Sequence, residues 1–245
     1  IEAVSTARLI YVDKGQVDEY AAWVKTLSFI EVSDADLDND TYESAEKQYL
    51  QNNSKQAISG FSSYVSKFPN GLHALKANFY LAQLYFADNL ESNSVKHYEF
   101  VVSKPRNEFT EQALARLCQV HLKAKNYDSA IPVLKQLESE AEFPQNTTYA
   151  QSNLMKSYYE KQDFTNAVVY ADKVLKNDKI DDRIKSDAQI IVARSAIKTN
   201  DEAKAKDAYA KLQKIAKGEL AAEALYYDAY FKNKEGKFEP SNVVV

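Results

Sequence analysis

Four aspartates at alternate positions, Asp34, Asp36, Asp38 and Asp40 in "DADLDND", are the densest set of side chains in this chain that could do chemistry. Carboxylates so spaced are what a calcium loop needs, because a hard cation takes several oxygen ligands from one short segment. Two positions speak against it. Asn39 stands where the sharp turn asks for glycine, and Ala45 where the closing bidentate glutamate belongs. The expectation is an acidic segment opening a helix, where negative charge suits the unsatisfied N–H groups of the first turn. His73, His97 and His121 are possible ligands, but they fall one to a segment and on different helix faces. The single Cys118 excludes an internal disulfide and a cysteine zinc site. No Ser/His/Asp or Cys/His grouping, paired-carboxylate motif or glycine-rich phosphate loop is present, and "GELAAEAL" reads as a helix start. The chain is therefore expected to be non-enzymatic and to carry no cofactor and no metal.

Composition narrows the scaffold that would position any site. The 245 residues are 45% hydrophobic and 27% charged, with a net charge of −4, enough apolar material for a sizeable core. Five glycines and five prolines are too few for the turns of a sandwich or barrel, so the chain reads as all-helical. It has no run of 18 apolar residues, and direct membrane insertion is not expected. The Lys-rich stretch "AKAKDAYAKLQKIAKGE" (203–219) interleaves acids and reads as a solvated helix, so nucleic acid is not an expected partner.

The stretch "NLMKSYYEKQDFTNAVVYADKVL" (153–175) shows the organisation. Leu154, Met155 and Tyr158 share one helical face, a polar break follows, and Phe164, Ala167, Ala171 and Val174 recur at helical spacing. This is a helix hairpin, and its rhythm repeats. Tyr20, Ala57, Ser94, Ala130, Ala167, Ala205 and Ser241 open successive second helices at spacings of 37, 37, 36, 37, 38 and 36 residues. A fixed period along the whole chain marks a stacked helical array, because a lone hairpin leaves an apolar face wet and its neighbour buries it.

These residues resemble the tetratricopeptide repeat, whose pattern places W-x2-L-G-x2-Y before A-x3-F and P. Leu81-Ala82-x2-Tyr85 with Ser94-x3-Tyr98, Ala57-x3-Phe61 with Pro69, and Leu154-Met155-x2-Tyr158 with Ala167-x3-Ala171 carry the likeness. Tyr127 with Ala130, and Val192-Ala193-x2-Ala196 with Ala205-x3-Tyr209, extend it, although the consensus Trp is absent from every unit. The resemblance implies an all-α, right-handed superhelical solenoid of antiparallel helix pairs. It divides residues 1–245 into units 1–37, 38–74, 75–110, 111–147, 148–185 and 186–221, with a partial unit at 222–245. Helix starts at residue 2 and the apolar Val243, Val244 and Val245 at the other end are expected of a fragment of a longer array.

In this family the first helices line a concave groove that holds peptides or partner helices. The residue after each core aromatic position is Val12, Tyr49, Phe86, Leu122, Tyr159, Ile197 or Asn233, turned about 100° from the core on a helix. The groove so implied takes Tyr42, Glu46, Tyr49, Phe79, Gln83, Phe86, Gln119, Leu122, Lys156, Tyr159, Ile190 and Arg194. The other reading of the same residues is packing of one first helix on the next, and burial separates the two. The carboxylate clamp some members use is not expected, since of Tyr42, Glu46, Tyr80, Gln112 and Arg116 only Arg116 fits it.

The function expected is a non-enzymatic scaffold binding a protein or peptide partner, monomeric as a fragment. The alternatives are a helical accessory domain of a larger envelope enzyme and a self-assembly module. "FPNGLHALKANFYLAQLYF" is similar to envelope repeat proteins of Gram-negative bacteria, of the outer-membrane assembly lipoprotein and Tol-Pal coordinator type, and to large Bacteroidetes repeat proteins. That likeness implies a periplasmic or cell-envelope setting.

Overall fold

The computed structural model describes residues 2–27 and 32–236. Ser241 and the Val243–Val245 run lie outside the described residues. Among those described there are thirteen α-helices and no strand: α1 (Glu2–Asp13), α2 (Val17–Val24), α3 (Asp34–Leu50), α4 (Ser54–Lys67), α5 (Ala74–Ala87), α6 (Glu91–Val102), α7 (Thr110–Lys123), α8 (Tyr127–Glu140), α9 (Pro144–Glu160), α10 (Phe164–Leu175), α11 (Asp182–Lys198), α12 (Glu202–Leu212) and α13 (Glu219–Lys234).

The turn from each first helix to its second is built the same way six times. It is three residues long, and its middle residue stands in the left-handed region: Gly15, Asn52, Asn89, Lys125, Gln162 and Asn200, with φ between +53° and +71°. The following amide then donates back to the carbonyl five residues earlier, as Gln16 to Tyr11 (2.8 Å), Leu90 to Tyr85 (2.8 Å) and Asp163 to Tyr158 (2.9 Å). This closes the first helix by satisfying carbonyls its end would leave bare. The next helix starts at once, with the side chains of Asn126, Asp163 and Asp201 accepting from the amides of Ser129, Asn166 and Lys204. The residue that opens the sequence repeat is thus the fourth of its second helix every time, and Ala57, Ser94, Ala130, Ala167 and Ala205 are fully buried there. Small side chains at that point let two helix axes approach to about 8–10 Å.

The chain divides into two compact units, residues 1–120 and 121–245. In the first, Tyr42, Ala45, Phe61, Tyr64, Leu81 and Leu84 form the centre of a core into which Tyr49, Tyr80 and Tyr85 pack partway. Gly60 lies so close to α3 that a Cβ there would sit 2.8 Å from the Cβ of Ala45. In the second, Leu137, Leu154, Met155, Val174, Val192 and Leu212 are buried between successive helices. Hairpins repeated in one register make the fold class an all-α solenoid.

The four aspartates now have places. All lie on α3, which begins at Asp34. Asp36 forms a capping box with Ser33, and this hydrogen bonding holds its carboxyl below the usual carboxylate range. Asp38 is buried, accepting from the Tyr64 hydroxyl and from the Leu72 amide (2.8 Å). Asp40 is fully buried beneath the Arg8 guanidinium. Among the described residues no group of three His, Cys, Asp or Glu is arranged to hold a metal ion.

One sequence expectation needs correcting. The Lys-rich stretch 203–219 is not one helix, because α12 ends at Leu212 and the chain turns through Gly218, at φ +60°, into α13. Among its lysines, Lys204 pairs with Asp172 (2.9 Å) and Lys211 with Asp207 (2.7 Å). No described helix is long and apolar enough to cross a membrane.

Candidate functional site: the face of the first helices

In the first unit, side chains on one first helix meet those on, or immediately before, the next first helix about thirty residues later. Tyr42 on α3 stacks on His73 with ring centroids 4.2 Å apart, and its hydroxyl donates to Glu46 (2.7 Å). Tyr49 stacks on Tyr80 at 4.8 Å. Phe79 on α5 stacks on Phe109 at 4.3 Å, and the Arg116 guanidinium lies 4.5 Å from the Phe86 ring centre. Burial first, then the bond to Glu46, raises the Tyr42 phenol far above its ordinary value.

In the second unit, charged pairs join successive first helices, as Arg8 and Asp40 join α1 to α3 in the first. Lys156 on α9 donates to Asp187 on α11 (2.5 Å), and Arg194 on α11 makes a two-pronged contact with Glu223 on α13 (3.0 and 2.6 Å). Tyr209 also donates to Glu223 (2.8 Å). The hydrogen bonds from Arg194 hold the Glu223 carboxyl below its usual range, and Glu223 in turn raises Arg194. Two parallel bonds fix the geometry of a planar guanidinium better than a lysine could.

The twelve residues named from the sequence do not form one surface. Tyr42, Phe79 and Ile190 are buried, at 3%, 5% and 8% exposure, and offer nothing to a partner. They sit a turn deeper than their neighbours; in the first unit, His73 covers Tyr42 and Phe109 covers Phe79. Glu46, Tyr49, Gln83, Phe86, Leu122, Tyr159 and Arg194 are half-buried, while Gln119 and Lys156 are exposed. Glu46 accepts from Tyr42, Gln83 accepts from Tyr98 (3.1 Å), and Gln119 accepts from Arg116 (2.9 Å). Tyr159 meets the edge of Phe164 at 5.7 Å and with it lines a recess of about 320 Å³ that also takes in Glu160, Gln162 and Lys198.

The second tyrosine of "SYYE" is therefore neither core nor bare. Tyr158 is buried and stacked on Tyr170 at 5.6 Å, while Tyr159 keeps part of its ring in solvent. At the equivalent places Val12 is buried, Asn233 is exposed, and Tyr49, Phe86, Leu122 and Ile197 are intermediate. Sequence reasoning missed the partners: Tyr80, Asp187 and Glu223. Their signal was an aromatic or opposite charge 29 to 31 residues downstream, a shorter step than the repeat itself.

The sequence matches the family described as tetratricopeptide repeat-like domain over residues 20–151, and that described as tetratricopeptide repeat over 102–228. No curated protein matches it. Among solved structures, YrrB, described as a TPR protein with an unusual peptide-binding site, is similar with a TM-score of 0.53 at 15% identity, covering 76% of this chain and 91% of its own. MamA of Desulfovibrio magneticus RS-1 gives 0.49 at 14% identity, covering 76% and 97%. PilF of Pseudomonas aeruginosa gives 0.44 at 14% identity, covering 94% and 96%. With six hairpins in one register and matches that together run from residue 20 to 228, this chain belongs to the tetratricopeptide repeat family.

Proposed function

We propose that the chain is a non-enzymatic scaffold that binds a peptide or protein partner on the faces of its first helices. The observation that carries this reading is the set of half-exposed rings Tyr49, Phe86 and Tyr159, each held by a neighbour yet open to solvent on one side. Rings fixed in advance lose little entropy on binding and offer both area and, for tyrosine, a hydrogen bond. In the first unit Glu46, Gln83 and Gln119 accompany Tyr49 and Phe86, and in the second Lys156 and Arg194 accompany Tyr159, polar groups beside apolar anchors, which is how recognition surfaces are commonly arranged. Selection from a displayed library of random peptides tests it. Enriched peptides should bind the parent chain and lose at least about tenfold in affinity to Phe86→Ala or Tyr159→Ala, the usual cost of removing a buried aromatic anchor. Peptides that bind all three alike, or no enrichment at all, would refute the reading. A periplasmic or envelope setting accompanies it through the resemblance of residues 68–86 alone.

A second reading, self-assembly, is favoured by one specific feature. Leu225, Tyr226 and Tyr230 on α13 are exposed, whereas Ile190, one unit earlier at the place of Tyr226, is buried. Light scattering over a range of concentrations separates the two, since a scaffold keeps its monomer mass and an assembly module does not.

A further inference from the structure

We propose that a cavity in the first unit, between the α1–α2 turn and the α3–α4 hairpin, binds a small oxyanion, the phosphate or carboxylate group of a ligand. The cavity holds about 460 Å³ and shares no residue with the ring row on the first helices. That volume is within the range of small-molecule sites, about 300–1,000 Å³.

Ser44 lines the cavity, is only 7% exposed, and its hydroxyl has no hydrogen-bond partner among the described residues. The hydroxyl opens on the cavity, so a hydrogen-bonding group held there can pair it. Ser63 and Ser59 on α4 add two further hydroxyls with no partner among the described residues. Gln48 accepts from the Asn53 amide group with its carbonyl (2.9 Å), which leaves its own NH2 to donate. The charges follow the same direction. Lys67 is held by both carboxylate oxygens of Asp18, while Lys14, also lining the cavity, makes no ion pair among the described residues. Two ammonium groups thus face one carboxylate, and the lining is donor-rich with a net positive charge.

The lining also says what does not fit. It contains no aromatic ring, so a sugar ring or a planar base would find nothing to stack on. Gly15 and Gly60 bring no side chain into the space, and a Cβ on Gly15 would still stand 3.7 Å from the Ser44 oxygen. What remains matched is a compact acceptor of several hydrogen bonds carrying negative charge.

Calorimetric titration with inorganic phosphate and, separately, with acetate tests this, at constant ionic strength against chloride. The parent chain should show saturable binding of one or both, and the tighter of the two assigns the ligand group. Lys14→Gln, at an exposed position, should weaken that binding about tenfold through loss of a charged hydrogen bond. Ser63→Leu, which replaces a lining hydroxyl with a bulkier apolar group, should weaken it as well while circular dichroism remains that of the parent. Absence of saturable binding by either anion, equal binding to parent and Ser63→Leu, or equal binding of xylitol would overturn the proposal.

Discussion

The rings of Tyr49 and Tyr80, thirty-one residues apart on successive first helices, lie stacked with centroids 4.8 Å apart and planes 28° from parallel. The contact couples two hairpins through side chains that are both half-buried. A double-mutant cycle with Tyr49→Ala and Tyr80→Ala, read by chemical denaturation, should give a coupling of about 0.5–1.5 kcal/mol. Strict additivity would mean that the two rings merely share a surface.

Helix crossings at the fourth residue of α4, α6, α8, α10 and α12, where Ala57, Ser94, Ala130, Ala167 and Ala205 are fully buried, leave no space for a larger side chain. Ala130→Leu and Ala167→Leu, both at fully buried positions, should each cost about 1–3 kcal/mol in unfolding free energy. Gly60→Ala is expected to destabilise for the same reason, since its Cβ would fall 3.0 Å from the Ala45 Cα. An unchanged thermal midpoint in the alanine-to-leucine variants would contradict the crossing geometry.

Lys125 and Gln162 occupy left-handed turn positions that Gly15 fills without strain. Replacing either by glycine should raise stability by about 0.5–1 kcal/mol, the steric relief exceeding glycine's entropic cost. Asn52→Gly is the control and should change little, because asparagine tolerates this conformation better.

His97 is buried against Asn78, its Nδ1 2.7 Å from the Asn78 side-chain oxygen. Burial, with Lys96 nearby, pushes its pKa down to about 4 from an ordinary 6.5. Above pH 6.5 both folded and unfolded chains hold a neutral ring, and the full stability is present. As pH falls from 6.5 towards 4 the unfolded chain takes up a proton that the folded one refuses, so stability declines across that window. His97→Gln should flatten the decline in a pH series of denaturation midpoints; an unaltered slope would place the titration elsewhere.

The fold was legible from the chain because each repeat states its geometry locally. Six small or buried residues at spacings of 36 to 38, each followed by helical periodicity, leave one arrangement of hairpins. The turn chemistry was not legible in the same way. Lys125 and Gln162 are not residues that announce a left-handed turn, and the hairpin register imposes the conformation on them. The surface was read only in part. Tyr42, Phe79 and Ile190 share a helical face with Tyr49, Phe86 and Ile197, and one helix viewed alone cannot show how far the next covers it. The step between covering residues, 29 to 31, differs from the repeat length because neighbouring first helices touch along offset turns. The aspartates of "DADLDND" are explained only by distant partners, Arg8, Tyr64 and the Leu72 amide.

The most direct test of the first-helix face as a recognition surface is a pull-down from bacterial envelope extract, comparing the parent chain with a Tyr49→Ala, Phe86→Ala, Tyr159→Ala variant shown to be folded by circular dichroism. The expected result is a partner retained by the parent and lost by the variant. The same partners retained by both would contradict the account and return these rings to packing between helices.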